Sequence, residues 1–181
     1  MGSVNSVDTW PMWWQRLLTD EDEQSMRFQD AVANSNDVRD CYRVGLQALL
    51  ERDRNRLSCQ DTRKISGSLN LDAAVAGLYP GQPCWDYGIG IKKTKFADKA
   101  IWVEVHSADA NQVQKMIEKL TWLKNWLDNR ARDLMTLTEN DFPYVWVASG
   151  RVSFQRTSPQ ARRLALAGIT FPREHYHIET R

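Results

Sequence analysis

WDYGIGIK (residues 85–92) and AIWVEVHS (100–107), joined by the polar linker KTKFADK (93–99), are the stretches whose reading decides the fold. Both alternate. Asp86, Gly88, Gly90 and Lys92 share one side of the first run, the period of a strand. In the second run Ile101, Val103 and Val105 share one side, and Trp102, Glu104 and His106 the other. Two such runs separated by a short polar linker predict an antiparallel hairpin with an extended loop.

Helical patterns lie outward from this hairpin. Downstream of Asp109, the residues Val113, Met116, Ile117, Leu120, Leu123 and Leu127 repeat at helical spacing, and Trp122 and Trp126 widen the stripe, so a long core helix is expected. Residues 144–148, after the breaker Pro143, read as a buried strand. Ser158, Pro159 and Gly168 mark the N-cap, first turn and stop of a further helix, and a last short strand is expected near 176–179. Upstream, 64–71 alternates as a strand and AAVAGLY (73–79) as a small apolar helix. Residues 38–57 carry Val38, Cys41, Tyr42, Leu46, Leu49 and Leu50 at the spacing of an amphipathic helix. The whole predicts an α/β (α+β) fold, a central mixed sheet with an antiparallel hairpin and helices on either side.

Residues 1–37 read as an N-terminal arm, with Trp10, Trp13, Trp14, Leu17 and Leu18 on one helical face. Residues 38–181 read as a single α/β domain. Three tryptophans on one stripe need a partner surface: the chain's own domain, a second copy or a partner protein.

Composition narrows the classes further. The 181 residues are 42% hydrophobic and 26% charged, enough for one sizeable core. With 24 Lys and Arg against 23 Asp and Glu, no global field draws the molecule to a polyanion, and such binding needs a local patch. Three irregularly spaced cysteines form neither a disulfide framework nor a C-x-x-C pair. With no membrane span and no secretory leader pattern, a cytoplasmic protein without membrane contact is the expectation.

The hairpin also carries the chemistry. If Ile91 pairs with Ile101, Asp86 falls opposite His106 and Gly88 opposite Glu104, and a two-residue change of the pairing sum leaves these groups on one face. Two carboxylates facing one another repel unless a cation or a proton lies between them. Asp86 and Glu104 as oxygen ligands suit Mg²⁺ or Mn²⁺, with His106 able to orient a water, while Gly88 and Gly90 would leave room over the sheet. The plainer alternative is a structural Asp86–His106 pair. Ser66 and Ser68 lack a base and an orienting group, and His175 with His177 lacks further ligands, so neither set is taken as a site.

The order helix, Asp-bearing strand, Glu-bearing strand, helix, strand, with WDYGIGIK followed by IWVEVHSA, resembles the restriction-endonuclease-like, or PD-(D/E)xK, nuclease superfamily over roughly residues 38–148. The resemblance implies a restriction-endonuclease-like core in which Asp86 and Glu104 hold Mg²⁺ and a lysine positions the attacking water. Glu51, late in the preceding helix, would be the extra acid that some members carry. Two positions depart from the pattern. Cys84-Trp85 stands where the family often has Pro, and His106 stands at the place of the lysine, for which Lys92 on the neighbouring strand is the candidate substitute.

Two functions follow. The first is metal-dependent phosphodiester hydrolysis of DNA or RNA, with Asp86, Glu104, His106 and Lys92 catalytic and Lys93, Lys95, Arg52 and Arg56 contacting phosphates. The second is a catalytically inactive module of the same fold that binds nucleic acid, or a partner protein through its Trp-rich helix.

Overall fold

A computed structural model describes residues 25–180; the stripe of Trp10, Trp13 and Trp14 lies outside them. In chain order the elements are α1 (Phe28–Asn34), β1 (Tyr42–Val44), α2 (Glu51–Arg54), β2 (Leu57–Cys59), β3 (Ile65–Asn70), α3 (Leu71–Val75), β4 (Tyr87–Lys92), β5 (Asp98–His106), α4 (Val113–Arg130), α5 (Arg132–Leu137), β6 (Tyr144–Ala148), α6 (Pro159–Ala167) and β7 (Tyr176–Ile178). The main sheet runs β1-β3-β4-β5-β6, and β2 pairs with β7 in a small parallel sheet. Pairings from β1 through β5 are antiparallel, whereas β6 lies parallel to β5. A parallel neighbour requires a crossover, which α4 and α5 provide. The mixed α/β architecture is thus the expected one.

The hairpin register differs from the assumed one by two in the pairing sum. Ile89, not Ile91, is opposite Ile101, and Tyr87 is opposite Val103. Face alternation survives, because a change of two preserves it. Trp102 belongs to the larger core layer, with Phe28, Met116, Leu123, Leu134 and Leu164 drawn from α1, α4, α5 and α6. Ile89, Ile101 and Val103 face the other layer, closed by Leu49, Leu57 and Ile178. Most helices therefore pack on one face, and the small β2–β7 sheet takes much of the place expected for helices on the other.

Two local readings are corrected. Residues 38–57 do not form one helix: Gly45, at φ 57°, turns the chain between β1 and the short α2. The apolar spacing there is satisfied by an edge strand, whose Tyr42 hydroxyl donates to the Ser66 carbonyl at 2.6 Å. The expected boundary at residue 37 also moves, since Phe28, Ala31 and Val32 of α1 are fully buried in the main core. The cap signals around α6 hold: Ser158 Oγ accepts from the Ala161 amide, and Gly168 closes the helix at φ 90°.

Both outer strands are covered or short. β1 has three residues, and the outer side of β6 is bridged by Ile169 and Arg173. The Thr170 amide donates to the Tyr144 carbonyl, and the Ala148 amide to the Arg173 carbonyl. Among the described residues, no helix is long and apolar enough to cross a membrane.

Gly88 and Gly90 leave no open space above the sheet. A Cβ on Gly88 would sit 2.9 Å from the Trp102 ring, and one on Gly90 would sit 2.4 Å from Phe28 Cγ and 2.5 Å from Ser66 Oγ. The glycines admit large apolar side chains rather than a ligand. Gly90→Ala should therefore destabilise the fold by about 1–3 kcal/mol, the usual cost of overpacking, read as a lower urea midpoint with an unchanged slope.

Candidate active site

The corrected register brings Asp86, one residue before β4, across from Glu104 in β5. Each carboxylate is held by a backbone amide of the other's segment. The Asp86 amide donates to Glu104 Oε2 at 3.1 Å, and the Val105 amide donates to Asp86 Oδ2 at 2.9 Å. The remaining oxygens face one ammonium: Lys119 Nζ lies 3.5 Å from Asp86 Oδ1 and donates directly to Glu104 Oε1. Glu104 is fully buried, while the Asp86 side chain retains 21% exposure and forms the opening of the site.

Lys119 was not singled out by sequence reasoning. It sits on the inward face of α4, three residues after Met116 and four before Leu123, both fully buried. That spacing was the available signal. A lysine on a buried stripe needs a carboxylate partner.

Electrostatics follow from this packing. Burial raises Glu104 to about 8, with the Asp86 charge adding to the rise and Lys119 opposing it. Asp86 is also raised, chiefly by burial and further by the charges of Asp72 and Asp53, against the pull of Lys119 and the Val105 amide. Burial works against the Lys119 ammonium, but Glu104 and Asp86 outweigh it and hold its proton more tightly than usual. Cys84, next to the site, is driven up to about 11 by burial and then by Asp72, so it is a packed thiol and no nucleophile.

The other expected site residues are placed as follows. His106 shares the Glu104 face, and its Nε2 lies 3.1 Å from Gln112 Oε1; it is not opposite Asp86. Lys92 is six positions along β4 from Asp86, about 20 Å at strand rise, and pairs in register with Asp98. It is not the substitute lysine. Glu51 is exposed at the start of α2. Asp53, two residues on, is the buried acid of that helix and accepts from the Tyr87 hydroxyl at 2.7 Å. Residues two apart on a helix point in different directions, which is why one is inside and the other out.

The expected phosphate-contacting residues do not form one patch. Lys93, 3.0 Å from Glu139, and Lys95, near the Phe96 ring, flank the hairpin turn at the far end of β4. Arg52 is exposed beside Asp53, at 3.4 Å. Arg56 donates to the carbonyls of Ala148 and Ser149 at 3.1 and 2.6 Å, capping the end of β6.

Among the described residues, no group of three or more His, Cys, Asp or Glu side chains is arranged to hold a metal ion. Asp86 and Glu104 form a two-carboxylate set, which is the number with which Mg²⁺ is commonly held when waters and substrate phosphates complete its shell. A cavity of about 630 Å³, lined by residues including Ile91, Ile101, Phe142 and Phe171, lies apart from these groups. Compared with protein-family models, curated proteins and solved structures, the chain finds no match.

The raised carboxyls bear on stability. Because the folded state holds the Glu104 proton more tightly than the unfolded chain, with its ordinary value of 4.5, stability should fall as pH rises from about 4.5 to about 8. Asp86 adds to this slope with the same sign. Lys119 acts outside the window, because its ordinary value of 10.5 is raised further. Urea unfolding of Glu104→Gln across that range should show a clearly shallower decline than the unsubstituted chain.

Proposed function

We propose that this chain hydrolyses phosphodiester bonds in DNA or RNA, with Mg²⁺ or Mn²⁺ held by Asp86 and Glu104 and with Lys119 as the cation of the site. The observation that carries this reading is the meeting of one ammonium with two carboxylates, one just before β4 and one in β5, at the end of a hairpin where the Asp86 side chain is partly exposed. Further support comes from the order β3-β4-β5-α4-β6, antiparallel up to β5 with β6 parallel, which resembles the core of the PD-(D/E)xK nucleases. The lysine that this resemblance implies comes from α4, while His106 occupies its usual place in the strand.

Each residue then has a physical role. Asp86 and Glu104 supply oxygen ligands whose positions are set by the Val105 and Asp86 amides. A bound divalent ion supplies Lewis acidity and lowers the pKa of a coordinated water. Lys119 places a positive charge where a phosphoryl oxygen gains negative charge, a contribution worth about 10²–10³ in rate when a single such donor is lost. His106, one strand repeat from Glu104 and braced by Gln112, stands at the rim as a polar contact for substrate.

A second reading has its own observation. All four carboxylate oxygens already have partners within the chain, as a purely structural ion-pair cluster would. In that case the fold serves as a binding module for nucleic acid or, through Trp10, Trp13 and Trp14, for a partner protein.

Nicking of mixed single- and double-stranded DNA and RNA with Mg²⁺ or Mn²⁺ separates the two. Hydrolysis is expected to depend on the metal, and to fall about 10²–10³-fold in Lys119→Ala and at least as far in Asp86→Asn. Absence of metal-dependent cleavage from the folded, unsubstituted chain would leave the binding module.

A further inference from the structure

Resting on the reading of Asp86 and Glu104 as a cation site, we infer that Lys119 is the site's resident counter-cation, and that it must leave the carboxylates for a phosphate oxygen before a divalent ion can be held tightly. The geometry behind this is an inventory of acceptors. Glu104 has one oxygen on Lys119 and one on the Asp86 amide; Asp86 has one oxygen facing Lys119 and one on the Val105 amide. The oxygens pinned by amides are fixed by the backbone, so the two that can turn to a metal ion are those now facing the ammonium.

Charge makes the sharing unfavourable. Two carboxyl groups balance at most two positive charges, whereas a dication beside the Lys119 ammonium brings three. Glu104 is fully buried and the Lys119 side chain is only 11% exposed, so solvent screens this excess poorly. Lysine has a flexible four-carbon stem that can carry its ammonium elsewhere. A phosphodiester is an anion that accepts the ammonium and also contributes oxygen to the metal shell, so its arrival removes one repulsion and adds one ligand. Metal and phosphodiester binding are therefore positively coupled through Lys119, and the coupling is reciprocal.

The test is calorimetric titration of Mn²⁺ into the full chain at one fixed pH, alone and with phosphorothioate DNA or RNA oligonucleotides that resist cleavage. The unsubstituted protein should bind Mn²⁺ about tenfold or more tightly with an oligonucleotide present. Lys119→Met, which keeps the apolar stem, should bind Mn²⁺ without an oligonucleotide more tightly than the unsubstituted chain, and its dependence on the oligonucleotide should shrink to the part owed to the added phosphate ligand. Equal Mn²⁺ affinity of the unsubstituted chain with and without every oligonucleotide overturns the inference, and this arm needs no variant. Weaker Mn²⁺ binding by a folded Lys119→Met also overturns it. Coupled Mn²⁺ binding by the unsubstituted chain, with tighter and less coupled binding by Lys119→Met, in a protein that cleaves nothing, would uphold the inference while ending the hydrolytic reading. No Mn²⁺ binding under any condition would end both.

Discussion

Two carboxyl groups face each other just beyond the outermost pair of a hairpin, and a single ammonium from a helix that follows later in the chain meets both. That opposition is the constraint on which the arrangement depends. Asp86 and Glu104 could not be buried side by side without an answering charge or a proton, and the answering charge comes from Lys119 on the inward side of α4. On the same side of that helix Met116, Leu120, Leu123 and Leu127 are buried with it. The polar cluster and the apolar stripe thus specify the same orientation, an agreement between levels that favours a single packed state.

Much of the fold was legible because periodicity reports which side of an element is buried. The hairpin, α4, β6 and α6 all announce themselves by strand alternation, a helical stripe, a short apolar run, or cap residues. Residues 38–57 misled for the converse reason. Apolar spacing in a stretch of many charges fits a helix, but Gly45 lets the chain reverse, and Tyr42 finds room over Gly67, where any Cβ would meet its ring at 2.1 Å. Neither long-range fact is visible in a local window. The small parallel sheet of β2 and β7 was hidden likewise, since its strands are three residues each and lie far apart in sequence.

The site was half legible. Asp86 and Glu104 share a face under either register, so their meeting followed from parity alone. Lys119 escaped because it was read as one of the polar residues between apolar positions rather than as a member of the stripe. Glu51 was placed late in a helix over residues 38–57; that helix does not form, and in the four-residue α2 it is Asp53 that is buried. The basic residues were grouped on the assumption that the hairpin loop and the 38–57 segment both lie beside the site. A strand of six residues nevertheless carries its two ends about 17 Å apart, and Arg56 is engaged with backbone carbonyls.

The treatment of the sheet margins constrains how this protein can meet a macromolecule. At one side β1 offers three residues; at the other, Ile169 and Arg173 already lie against β6 and their segment takes up its outward amide and carbonyl groups. Such margins resist edge-to-edge aggregation. They also deny an incoming extended peptide the row of backbone donors and acceptors needed to extend the sheet. Among the described residues, the main sheet therefore presents side chains on its faces, loops and helix ends rather than an open margin.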